Sequence, residues 1–226
     1  MKKIFISIII IISSISSSSS HVEHYSNFSI LEYDLFRNDK LIGFHKYNLQ
    51  KNNNELIVES SIKFKIKKMG IDLYSYAAES EEIYKNDSLE KFTSKTKQNK
   101  KNKYVNISKD KDKELIIDGT SYKGKASGEF IVGTWWNHEI VKAKAQISAI
   151  SGRVIHQDVS FVGKEVVNLN GKKFNALRYN FSSADKSLPD KKKLNTDIWY
   201  EEETLLWLKA SFTKQGKWEY RLKTYK

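Results

Sequence analysis

The sequence of 226 residues contains no cysteine. That excludes a disulfide-stapled secreted scaffold, a thiol nucleophile, and a bacterial lipoprotein, which carries its lipid on a cysteine at the cleavage site. Proline occurs once, at Pro189, and arginine only at Arg37, Arg153, Arg178 and Arg221. The rest of the 39 basic residues are lysine, and the formal net charge is +12. Such a charge attracts anionic surfaces. Nucleic-acid sites, however, rely on arginine for bidentate contacts. Abundant lysine, asparagine and isoleucine with little proline is also what an AT-rich genome produces, so nucleic acid is not an expected partner. No Gly-x-Ser-x-Gly elbow, His-Glu-x-x-His helix or phosphate-binding glycine loop occurs. No cofactor or metal site is expected.

Residues 1–20 have the layout of a secretory signal peptide. Lys2 and Lys3 precede an apolar run, Ile4–Ile12, and small polar residues follow. The run is too short to span a bilayer comfortably. Export to the periplasm or beyond is therefore expected. Residues 21–226 should form one domain stabilised by burial alone.

The domain reads as β-strands. Leu56, Val58, Ile62, Phe64 and Ile66 alternate with Glu59, Ser61, Lys63, Lys65 and Lys67, a half-buried strand of an antiparallel sheet. Similar segments run from Phe28 to Arg37, Leu41 to Gln50, Ile71 to Tyr84 and Leu89 to Gln98. Shorter ones cover Lys103–Ser108, Glu114–Asp118 and Ser121–Ala126. Later segments are Arg153–Phe161, Lys164–Leu169, Lys172–Ser183, Thr196–Tyr200, Leu205–Thr213 and Lys217–Tyr225. Asn38-Asp39, Asn86-Asp87 and Asn170-Gly171 are turn signals, the last suited to a type I′ hairpin. At Thr134-Trp135-Trp136-Asn137 the period changes. Ile140, Ala143, Ile147 and Ile150 recur at three- and four-residue spacing, Asn137 can cap, and Gly152 can stop. The spacing predicts one helix of about ten residues there. The fold class expected is all-β, mainly antiparallel, with one short internal helix, in a strongly curved or barrel-like sheet.

Tyr33-Asp34-Leu35-Phe36, followed by Lys40-Leu41-Ile42-Gly43-Phe44-His45, resembles the opening of a family of secreted bacterial proteins of unknown function. Trp136-Asn137, Gly152 and the late Asp197-Ile198-Trp199-Tyr200 strand resemble that family too. At Glu201–Glu203 the chain differs, because the family more often has a glycine-containing turn there. The resemblance implies no catalytic residues. It implies an architecture loosely similar to curved-sheet carriers of lipid or lipoprotein acyl chains, and fold alone does not establish function.

The expected function is binding of an apolar or amphipathic ligand in the concavity of the sheet. Trp135 and Trp136, adjacent in an extended segment, should point to opposite sides, one into the core and one toward a pocket. Tyr74, Tyr76, Trp199 and Trp207 are the other candidate lining residues, and packing is the plainer role for each. A membrane surface is a candidate partner. Two alternatives stand beside this reading: an envelope interaction component with a filled core, and a hydrolase using His138 or His156 with a nearby carboxylate. The carboxylates at Glu79, Glu81 and Glu82 and at Glu201–Glu203 read as solvated strand ends. The ligand, the oligomeric state and the degree of barrel closure are open at this level.

Overall fold

The computed structural model describes Tyr25 and residues 27–226. The signal-peptide expectation, on residues 1–20, lies outside the described residues. Fifteen strands make one sheet. The first eight are β1 (Ile30–Arg37), β2 (Lys40–Asn52), β3 (Glu55–Lys68), β4 (Ile71–Lys85), β5 (Ser88–Gln98), β6 (Lys101–Lys109), β7 (Leu115–Gly119) and β8 (Lys123–Ala126). The rest are β9 (Ile131–Val132), β10 (Ala145–Ile147), β11 (Val154–Leu169), β12 (Lys172–Ser183), β13 (Asn195–Glu201), β14 (Trp207–Thr213) and β15 (Lys217–Tyr225).

The sheet order is β8-β7-β6-β5-β4-β3-β2-β1-β15-β14-β13-β12-β11-β10-β9. Every neighbouring pair is antiparallel except β9 with β10. The short hairpins that permit this are written in the turns. Asn38, Asn53, Asn86, Asn99 and Asn170 all take positive φ, which asparagine tolerates better than other non-glycine residues.

Alternation decides which face is inside. On β3, Leu56 and Val58 are buried while Glu59 is exposed. On β13, Ile198 and Tyr200 face the core. A sheet this long must curl to bury its inner face. One tight approach is between β2 and β3. A Cβ on Gly43 would lie 2.1 Å from the Lys63 carbonyl oxygen and 2.5 Å from Phe64 Cβ.

The ladder does not close on itself. β8 and β9 are its two ends. The segment after β10 spans part of the gap. Ser121 N–H donates to Ser151 O at 2.9 Å, and Gly152, at φ 76°, lies against Gly119 of β7.

Two expectations are corrected. The segments at Arg153–Phe161 and Lys164–Leu169 form a single strand, β11, with a bulge between Phe161 and Gly163. The helix of about ten residues after Trp136 is replaced by a four-residue 3-10 turn, His138–Val141, followed by β10. Asn137 still caps, its side chain accepting from Glu139 N–H at 3.0 Å. The apolar spacing misled because Ala145, Gln146 and Ile147 are all buried. A strand covered on both faces loses its period of two. Gln146 is satisfied by Gln157 Oε1 at 2.7 Å, and Gln157 Nε2 donates to Ile140 O and Ala143 O. That bonding ties the segment to β11.

Candidate functional site: the interior beneath the tryptophan segment

Gly133–Asn137 runs through the interior as a plug. Tyrosine hydroxyls from the surrounding sheet hold its backbone. Tyr47 on β2 donates to Thr134 O at 2.6 Å, and Tyr200 on β13 donates to Trp135 O at 2.9 Å. Tyr25 accepts from His138 N–H at 2.7 Å. A buried loop has polar backbone groups that must find partners, and the alternation of β2 and β13 delivers these hydroxyls from the inner face. Burial pushes the Tyr47 and Tyr200 phenols well above their ordinary range, so they remain donors.

The two indoles diverge. Trp136 is buried between the rings of Tyr25 and Tyr84, at 5.1 and 5.6 Å. Its Nε1 donates to Glu82 Oε1 at 2.9 Å, and Tyr84 OH donates to Glu82 Oε2 at 2.8 Å. Glu82 is 1% exposed. Burial raises its pKa against the pull of these donors. Trp136 also borders a cavity of about 360 Å³ with Tyr84, Leu89, Phe130 and Asn137.

Trp135 sits at φ 64°, a left-handed conformation unusual for a bulky residue. Its ring meets Trp207, Tyr220 and Phe212 at 5.6, 5.5 and 6.4 Å. Its Nε1 is buried and has no hydrogen-bond partner among the described residues. Two spaces share Trp135 as a wall. The inner cavity, about 250 Å³, is bounded by His45, Ile62, Tyr76, Thr96, Phe212 and Tyr220, with the hydroxyls of Ser60, Ser80 and Ser94. The wider mouth, about 490 Å³, is bounded by Arg153, Asp190, Lys192, Lys193, Leu194 and Lys214. Gly133, Ala149, Ile150 and Phe212 line both.

His45 is half-buried and presents part of its ring to the inner cavity. Burial therefore takes its pKa down to about 3. Its Nδ1 lies 3.5 Å from Tyr47 OH, a long contact. Tyr76 is pushed up to about 12, by burial first.

Of the residues singled out in the sequence, Trp135 and Tyr76 line the inner cavity. Trp136 lines the cavity bordered by Phe130 instead. Tyr74 is half-buried beside Phe64, in a separate cluster with Leu35 and Tyr76. Trp207 is fully buried and stacks on Tyr33 at 4.0 Å. Trp199 points to the opposite face of the sheet from Tyr200. There it is covered by Arg178 and Lys209, and its indole donates to Glu165.

Glu82 was missed as an interior residue because it ends a run of carboxylates. Its parity with Tyr76, Ala78, Ser80 and Tyr84 on β4 is the signal that would have found it. His138 Nδ1 lies 3.8 Å from Glu139 Oε1, and His156 is exposed against the Phe130 ring. Among the described residues, no group of three or more His, Asp and Glu side chains is placed to hold a metal ion.

A single curled antiparallel sheet with a plugged interior defines a β-barrel-like protein. In architecture the chain is similar to a β-barrel-like protein of the domain of unknown function DUF1849 from Brucella abortus. The TM-score is 0.62 at 12% identity, covering 87% of this chain and 96% of that one. Weaker likenesses are to a Bacteroides fragilis protein with a YmcC-like fold (TM-score 0.34, 9% identity, 87% and 94% covered) and to a DUF1329 family protein from Desulfovibrio piger (0.26, 9%, 91% and 89%). No curated protein matches the sequence. The chain belongs to the DUF6134 family, a domain of unknown function, which it matches over residues 33–223.

Proposed function

We propose that the protein is a non-enzymatic binding protein of the cell envelope for a small anionic amphiphile, a molecule of the fatty-acid type. The observation that carries this reading is the adjacency of the two spaces, which share Trp135 as a wall. The mouth is basic, through Arg153, Lys192 and Lys214, and suits a carboxylate or phosphate. The inner cavity combines aromatic and aliphatic walls with a few hydroxyls, the usual make-up of a small-molecule site. Together the two fall in the range typical of such sites, roughly 300–1,000 Å³. Trp135 stands between them in a strained conformation, as a gate would. A whole diacyl lipid exceeds this space unless the plug moves.

Native mass spectrometry of protein exported to a periplasm, before and after solvent extraction, tests the reading. A defined adduct that extraction removes is expected. Rebinding of dodecanoate to the extracted protein should fall at least tenfold in Ala78→Phe, which fills the inner cavity. A bare mass in every preparation, with no dodecanoate binding by the wild type, would sink it.

A second reading is favoured by β11. From Asp158 to Leu169 its outer edge has no strand neighbour among the described residues, and Phe161, Val162 and Val166 are exposed along it. Such an edge can accept a strand from a partner. Cross-linking in the native envelope from a photoreactive residue at position 166 tests this, and labelled monomer alone would count against it.

A further inference from the structure

The β3–β4 hairpin projects beyond its neighbours. On one side, pairing of β2 with β3 stops at Gly43 and Phe64. On the other, pairing of β4 with β5 stops at Tyr76 and Gln98, and Ser75 is still held by Asn99. Lys65–Tyr74 is therefore a two-stranded ribbon with no strand paired to either flank among the described residues, extending roughly 13 Å. Two-stranded ribbons are marginal in water; Tyr74 packs on Phe64 at the base of this one, but core packing does not explain its tip.

Its tip is apolar where the fold does not require it. Met69 is 92% exposed, Ile71 67% and Leu73 57%; Leu41, at the same end of the sheet, is 60% exposed. Met69 and Gly70 take φ 51° and 79°. Elsewhere the chain fills the first left-handed position of its hairpins mainly with asparagine, at Asn38, Asn53, Asn86 and Asn170. Here it places a methionine, one of two in the sequence, the other being Met1. Asparagine is the better residue for the turn itself, so the thioether calls for another explanation.

The charge around this tip is one-sided. Residues 63–73 and 95–103 carry nine lysines and one aspartate, Asp72. At the opposite end of the same strands, residues 51–55, 85–90 and 109–114 carry five lysines and six carboxylates. The general excess of lysine therefore does not account for the asymmetry. Asp72 is engaged by Lys65 at 2.6 Å and Lys67 at 3.7 Å.

We propose that this end of the sheet docks on an anionic lipid bilayer, with Met69, Ile71 and Leu73 entering the acyl region and the flanking lysines meeting lipid phosphates. The tip projects past the pairing of its neighbours, so it fits a deformable surface better than a preformed protein pocket. Long lysine stems can reach headgroups while apolar neighbours insert, and an anionic leaflet attracts clustered lysines. The basic mouth described above lies at the same end, since the β12–β13 and β14–β15 connections are at that end of the strands. Docking does not depend on that cavity holding a ligand.

The lack of cysteine makes the test clean. Met69→Cys and, at the opposite end, Asn53→Cys are each labelled with a polarity-sensitive fluorophore in the exported, processed protein. They are then mixed with vesicles of phosphatidylcholine alone or with phosphatidylglycerol. A blue shift and severalfold brightening at position 69 alone are expected, with the anionic vesicles only. The signal should be lost in ~1 M salt, where the Debye length is about 3 Å. Unlabelled protein should sediment with anionic vesicles, and the triple variant M69S/I71S/L73S should do so at least tenfold more weakly. No change at position 69 with any vesicle would overturn the proposal. So would equal changes at positions 53 and 69, or equal sedimentation of the triple variant. A shift at position 69 with an acidic protein but no vesicle would assign the tip to a protein partner instead. Ala78→Phe should sediment like wild type, which separates docking from occupancy of the cavity.

Discussion

The Trp136 indole donates to Glu82 at 2.9 Å, fastening the plug to β4 through a carboxylate that is 1% exposed. Tyr84, two residues along the same strand, donates to the other carboxylate oxygen at 2.8 Å. One acidic side chain thus satisfies two buried donors from two elements.

Removing the acceptor should be costly. Glu82→Leu leaves the Trp136 N–H and the Tyr84 hydroxyl without partners, and should destabilise by about 2–4 kcal/mol. Glu82→Gln keeps one acceptor oxygen and should cost much less. The two also differ in pH dependence. Burial raises the folded-state pKa of Glu82, so the folded form holds its proton more tightly than the unfolded chain. Stability contributed by this proton is present below the unfolded-state pKa and is lost as pH rises through the folded-state value. Glu82→Gln should flatten that decline in urea-denaturation midpoints across a pH series. An identical slope in the variant would show that Glu82 is not its source.

His45 should give the opposite slope. Its folded-state pKa is lowered to about 3 from the ordinary 6.5 by burial against the inner cavity. The unfolded chain therefore binds a proton first as pH falls. Stability is complete above about pH 6.5 and declines toward pH 3, by up to roughly 1.4 kcal/mol per pH unit where the linkage is full. His45→Phe removes the titrating group, so its midpoints should be nearly flat over that window once the carboxylate contribution is matched in parallel. NMR titration of the His45 ring gives a direct check, and a midpoint near 6.5 would refute the assignment.

The same interior marks how far the sequence could be read. The strands were legible because one face is wet: Leu56, Val58 and Phe64 alternate with Glu59, Lys63 and Lys65 along β3. Where burial covers both faces, as at Ala145–Ile147, the period disappears and the residues imitate a helix. The divergence of Trp135 and Trp136 was expected from the geometry of an extended segment. Each lines a different cavity, in a segment held by tyrosines far away in sequence, Tyr47 and Tyr200, and spacing cannot show that. Trp199 has the same composition signal as Trp207, yet a single step along the strand puts it on the other face, under Arg178 and Lys209.

The tyrosine anchors of the plug can be weighed one at a time. Tyr47→Phe and Tyr200→Phe keep the rings and delete the hydrogen bonds to Thr134 O and Trp135 O. Tyr200→Phe leaves the buried Trp135 carbonyl without its tyrosine donor and should cost about 1–3 kcal/mol, whereas Tyr47→Phe should cost less, because Thr134 O still accepts from Trp136 N–H at 2.9 Å. These carbonyls flank the left-handed Trp135, so loss of either bond should also loosen it. Faster amide exchange at residues 134–137, with β3 unchanged, is the expected pattern. Uniform loss of protection over the sheet would mean that the plug is not a separate unit.

Gly43 and Gly70 separate two reasons for a glycine. At Gly43 a methyl group would meet backbone, 2.1 Å from Lys63 O and 2.6 Å from Phe64 Cα, as well as Phe64 Cβ. None of these is the far end of a flexible chain, so relief requires β2 and β3 to part at Gly43. Gly43→Ala should cost at least ~3 kcal/mol, the upper range for overpacking. At Gly70 a methyl group meets no atom within 4 Å, but the residue sits at φ 79°. There the cost is conformational, about 1–2 kcal/mol, and is confined to the projecting ribbon. Gly43→Ala should therefore lower the urea midpoint of the whole domain, while Gly70→Ala leaves it nearly unchanged and perturbs only local exchange at residues 65–74. Equal midpoints for the two variants would mean that the β2–β3 approach has room to open, and that the curl of the sheet is not set at Gly43.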